Sequence, residues 1–163
     1  MTFDVFLSYQ WDSQETVKKV YEQLEKENLS VWMDINEMAG GNLHANLAEA
    51  LQDSRVFVCF ITEKYTQSKN CENEFSYAYE KDMNMVVVML EDMTLDDMGG
   101  IGFKMARLLR INAFGDKQFP QNRSPQGQYT AMLQSVRNEL EKYKEKHGGT
   151  GSESSSDDDD DDE

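Results

Sequence analysis

The sequence predicts an α/β fold: a flavodoxin-like, doubly wound five-stranded parallel sheet with helices on both faces. Three observations carry this expectation. Short apolar runs rich in β-branched and aromatic residues alternate along the chain with segments of helical periodicity. The links between them are short, and a crossover helix returns the chain to the same end of the sheet, so the strands must be parallel. One run, Arg55 to Ile61 (RVFVCFI), is apolar almost throughout, as a strand covered on both faces should be.

Each element has its own signal. Phe3 to Ser8 (FDVFLS) reads as the first strand. Asp12-Ser13-Gln14-Glu15 then has the acid-x-x-Glu form of a capping box, with Val17, Val20, Tyr21 and Leu24 at helical spacing behind it. Ser30 to Asp34 (SVWMD) reads as the second strand and Ile35 to Asn42 as a loop containing Gly40 and Gly41. Leu43, Leu47, Ala50 and Leu51 form the stripe of the second helix. After the third strand, Arg55 to Ile61, a third helix is expected over Asn70 to Asp82. Met83 to Leu90 is the fourth strand and Leu108 to Asn112 the fifth. A last helix starts from Ser124 and Pro125, runs through Tyr129, Leu133, Val136, Leu140 and Tyr143, and stops at Gly148. The Met- and Gly-rich stretch from Met93 to Lys104 has no clear period.

The chain of 163 residues carries a formal charge of -15. Of its 31 acidic residues, eight lie from Gly148 onward, which leaves 23 against 16 basic residues in the body, or -7. Such a body repels nucleic acid and anionic membrane, and no apolar run approaches the ~20 residues of a membrane span. The stretch 148–163 (GGTGSESSSDDDDDDE) has nothing to bury and should be a disordered acidic tail on a domain of residues 1–147. Ser154, Ser155 and Ser156, followed by acids, have the form of acidophilic kinase sites. No basic flank or cleavage site marks the first residues, so a cytoplasmic location is expected. Two cysteines and two histidines provide neither a disulfide framework nor a zinc set.

In an open α/β sheet, ligands sit at the carboxyl ends of the strands, here the loops after Leu7, Asp34, Ile61 and Leu90. Their residues exclude several chemistries. Phosphorelay needs an aspartate ending the third strand, where Thr62 follows Ile61 instead. Phosphate cradling needs a glycine-rich first loop, and SYQWDSQ has none. No nucleophile elbow or metalloprotease motif is present.

Three pieces in order, FDVFLSY, SVWMDINEMAGGNL and Ser68-Lys69-Asn70-Cys71-Glu72-Asn73-Glu74-Phe75, resemble the Toll/interleukin-1 receptor homology (TIR) domain. The likeness runs from about Thr2 to Lys146. It implies a cytoplasmic signalling module in innate immunity or cell death that self-associates with other TIR domains as a homo-oligomer. Its contact is the loop after the second strand, in which Met38 offers a flexible apolar side chain and Gly40 and Gly41 allow conformations closed to other residues.

Some TIR domains cleave NAD+ as substrate, with no cofactor, and the resemblance places their catalytic carboxylate at Glu74, the glutamate of the C-x-x-E pattern begun by Cys71. A carboxylate suits the oxocarbenium-like state formed when the nicotinamide-ribose bond breaks. Water completes hydrolysis, whereas attack by the adenine ring gives a cyclic product. Tyr9, Gln10 and Trp11 are expected to hold nicotinamide or ribose, Trp11 by stacking. Asp34, Glu37 and Leu43 correspond to positions flanking the pocket. Asn70 stands where many relatives carry a tryptophan wall, and Trp11 or Phe114 is the expected replacement. Without the likeness, Glu74 reads as a first-turn glutamate favouring the helix dipole, and His44 as a solvated or capping histidine. The alternative function is a catalytically silent adaptor that recruits other TIR proteins.

Overall fold

A computed structural model describes residues 2–33, 43–115 and 128–147, with the backbone alone for 43–46 and 128. The strands are β1 (Phe3–Ser8), β2 (Val31–Trp32), β3 (Ser54–Ile61), β4 (Asn84–Met89) and β5 (Arg110–Asn112). They form one sheet in the order β2-β1-β3-β4-β5, and every pair is parallel. The predicted five-stranded, flavodoxin-like parallel architecture is the one observed. The helices are α1 (Gln14–Lys26), α2 (Leu43–Gln52), α3 (Glu63–Gln67), α4 (Lys69–Glu80), α5 (Gly102–Met105) and α6 (Gln128–His147).

Alternation along the strands sorts the core into two layers. On one face Val5, Leu7, Val56 and Val58 meet Val17 and Val20 of α1 and Met132 and Val136 of α6. On the other, Phe6, Phe57, Cys59 and Ile61 meet Leu51 of α2, Phe75 and Ala78 of α4, and Tyr65 of α3. The central strands are apolar on both sides because both sides are covered. Ser8 lies two residues beyond Phe6, so the same alternation turns it toward α3 and α4.

Local chemistry sets several boundaries differently from the sequence expectation. Asp12 does not cap α1: a 3₁₀ turn over Trp11–Ser13 comes first, and Gln10 Oε1 accepts the Asp12 N–H at 2.9 Å. The Asp12 carboxylate is instead paired with Lys64 of α3, which raises the lysine's pKa. Between β3 and the expected third helix lies the extra helix α3, capped by Thr62 Oγ1 on the Tyr65 N–H at 3.0 Å. Ser68 then caps α4 through the Cys71 N–H at 3.2 Å. The Met- and Gly-rich stretch forms a 3₁₀ segment, Leu95–Ile101, that buries Met98 and Ile101. Gly99 within it has φ +60°, a region that L side chains rarely adopt. The expected cap of α6 at Ser124 and Pro125, its stop at Gly148 and the acidic tail lie outside the described residues.

Candidate functional site

The carboxyl ends of β1 and β2 and the start of α4 enclose a cavity of about 410 Å³. Tyr9, Gln10 and Trp11 border it from the loop after β1, and Asn70, Cys71 and Glu74 from α4. Cys71 and Glu74 share the cavity because residues three apart lie on one helix face. The Ser68 cap starts that helix beside the strand ends, so the spacing of the C-x-x-E pattern sets where the carboxylate emerges. No lysine or arginine lies among the described residues that line the cavity, and Glu74 is their only acid.

Glu74 is partly buried and is held from below. Ser8, 1% exposed, donates its hydroxyl hydrogen to Glu74 Oε1 at 2.6 Å. The Tyr65 hydroxyl lies 2.8 Å from Ser8 Oγ. A serine has one hydrogen to give and Ser8 gives it to Glu74, so Tyr65 is the donor in this second contact. The result is a buried series, Tyr65 to Ser8 to Glu74, ending on the carboxylate that faces the cavity. Burial pushes the Tyr65 phenol well above its ordinary pKa, and the nearby Cys59, Glu74 and Cys71 add to the shift. Burial likewise pushes the Cys71 thiol up to about 12, with Glu74 adding and the Ser68 hydrogen bond opposing. At neutral pH that thiol, 3.5 Å from the Tyr9 carbonyl oxygen, is no nucleophile.

Of the residues singled out from the sequence, Tyr9, Gln10, Trp11, Asn70 and Glu74 therefore come together at one cavity. Asp34, Glu37, Met38, Gly40 and Gly41 lie outside the described residues. Leu43 opens α2, with His44 next to it, and neither side chain is described. Phe114 does not border this cavity and faces a separate cleft with Asp92 and Leu109, so it supplies no wall here. Nor does Glu74 sit in the first helical turn: with Ser68 as cap that place falls to Glu72, and the dipole effect fades within one turn. The sequence reading missed Ser8, Tyr65 and Trp32. Period-two alternation from Phe6 was a usable signal for Ser8, whereas α3 is too short for periodicity to reveal Tyr65.

A family model described as TIR domain matches residues 5–124. Among solved structures, the TIR domain of the Toll-related receptor TRR-2 from Hydra magnipapillata superposes with a TM-score of 0.56 at 12% identity. That match covers 68% of this chain and 84% of the other. A metazoan TIR-STING receptor from C. gigas, solved in complex with 2',3'-cGAMP, gives 0.63 at 16% identity. It is matched over 82% of this chain and 39% of its own. A search of curated proteins finds no match.

Proposed function

The chain belongs to the TIR domain family, and we propose that it is a signalling TIR domain that assembles with its own kind and hydrolyses NAD+ at the nicotinamide-ribose bond. One observation carries the enzymatic half: the carboxylate of Glu74 opens onto a cavity of about 410 Å³ that it shares with Tyr9, Gln10, Trp11 and Asn70. When the C1′–N bond breaks, the pyridinium ring takes the electron pair and leaves as neutral nicotinamide. Acid assistance is unnecessary, and the need is for negative charge beside the ribosyl cation. Glu74 supplies it, with its orientation fixed by the Ser8 hydroxyl. Water then bonds to C1′ and loses a proton, giving ADP-ribose.

The signalling half rests on family membership and on the likeness of fold to receptor TIR domains. In the adaptor alternative, assembly is the whole function. Assembly and catalysis are coupled in this proposal, with a neighbouring copy completing the pocket.

The test is nicotinamide release from NAD+ across a wide protein dilution series. Release that rises faster than linearly with protein concentration, alongside growing particles in light scattering, is the expected result. Absence of nicotinamide at the highest concentration and under crowding would leave the adaptor function alone.

A further inference from the structure

Trp32 stands in the cavity wall, although the sequence reading gave it no role. It pairs in register with Phe6 across β2 and β1, and the two rings stack at 5.0 Å with 12° between their planes. Phe6 stacks in turn on Phe57 at 5.8 Å and 11°. Three near-parallel rings thus run inward from Trp32 at the edge strand, the inner two wholly buried. Trp32 itself is only partly buried and borders the cavity together with Asn70 and Glu74 of α4. A ring locked in this way offers a flat surface at no cost in side-chain ordering.

We infer that Trp32, backed by Phe6, is the wall against which the oxidised nicotinamide ring stacks. This rests on the proposed function above. Phe114 faces elsewhere, and of the two tryptophans that border the cavity Trp11 is 44% exposed, whereas Trp32 has its plane held by the stack on Phe6. The electrostatics agree. With no cation among the described lining residues, the cavity has little to offer a phosphate, and a pyridinium is the part of NAD+ it suits. Tryptophan is the best aromatic partner for a cation, and Glu74 adds a negative charge to the same cavity. The reduced ring has no charge and should bind worse, so Trp32 selects the oxidised dinucleotide.

The chain's two tryptophans, Trp11 and Trp32, both line the cavity, so intrinsic emission reports on this site alone. Binding is read in Glu74→Gln protein, which removes turnover. With Trp11→Phe added, Trp32 is the sole emitter, and NAD+ should quench it. Trp32→Ala should weaken NAD+ binding about tenfold by calorimetry, with Trp32→Phe recovering most of the loss. NADH should bind at least about tenfold more weakly than NAD+. If NAD+ quenches Trp11 in the Trp32→Phe variant while Trp32 emission and the affinity of the Trp32→Ala variant stay unchanged, this assignment falls and NAD+ cleavage stands. Equal affinity for NAD+ and NADH would remove the charge selection. If NAD+ neither quenches nor binds in any variant, the assignment and the proposed function fall together.

Discussion

Ser8 of β1 and Glu74 of α4, 66 residues apart in sequence, are joined by a 2.6 Å hydrogen bond beneath the cavity surface. The contact exists because strand alternation turns Ser8 toward α4 and the Ser68 cap starts α4 beside the strand ends. Tyr65 holds the far side of Ser8, so the carboxylate is oriented by groups that never reach the cavity surface.

The two supports should fail differently. Ser8→Ala takes the donor from Glu74 and leaves the buried Tyr65 hydroxyl without its acceptor, at a cost of about 2 kcal/mol in denaturant unfolding. Tyr65→Phe removes only the outer donor, at about 1 kcal/mol. Nicotinamide release, where present, should drop further in the serine variant. Equal losses in both variants would mean that the series does not act as a directed chain.

Alkaline pH should unfold the protein through groups kept protonated in the fold. Burial raises the pKa values of Tyr65, Cys71 and Cys59 above their ordinary values, so each holds its proton more tightly in the fold. Above pH 9 the unfolded chain releases protons from its thiols, and above 10 from its tyrosine, while the folded chain holds them. The unfolded state then binds fewer protons, so stability falls as pH rises, by up to about 1.4 kcal/mol per pH unit for each group. For Cys71 the window runs from 9 to about 12. Denaturant midpoints measured from pH 7 to 11 should be level below about 8.5 and decline above it. A level profile to pH 11 would refute the burial of these groups.

Gly102 should not tolerate a side chain. A Cβ there would lie 2.3 Å from the Leu95 carbonyl oxygen, backbone that cannot yield without moving the 3₁₀ segment. Gly102→Ala should therefore cost roughly 2 kcal/mol by denaturant unfolding. Met98 and Ile101 share a core layer with Tyr65 and Phe75, so the displacement should also reach the site and slow nicotinamide release. Wild-type stability in this variant would contradict the packing around Leu95.

Most of the fold was legible because strand and helix periods are written in neighbouring residues. RVFVCFI and MNMVVVML stand out as buried strands whatever surrounds them. Legibility fails where structure depends on distant partners. Asp12 looks like a helix cap by spacing, yet the carboxylate goes to Lys64 of a helix too short to announce itself. The Met93 to Lys104 stretch gave no period because it turns at 3₁₀ pitch around a glycine with positive φ. At the site, residues next to a recognisable motif (Tyr9, Gln10, Trp11, Asn70, Glu74) could be named in advance. Trp32 could not, because its role comes from a cross-strand stack on Phe6 that only the register creates.

The central claim is that Glu74 breaks the nicotinamide-ribose bond, and the most direct measurement compares wild-type protein with Glu74→Gln at equal concentration and matched thermal stability. Glutamine keeps the shape and still accepts from Ser8 but lacks the charge, so nicotinamide release should drop by about a hundredfold or more. Release from the glutamine variant at the wild-type rate would show that the carboxylate is not the catalytic group.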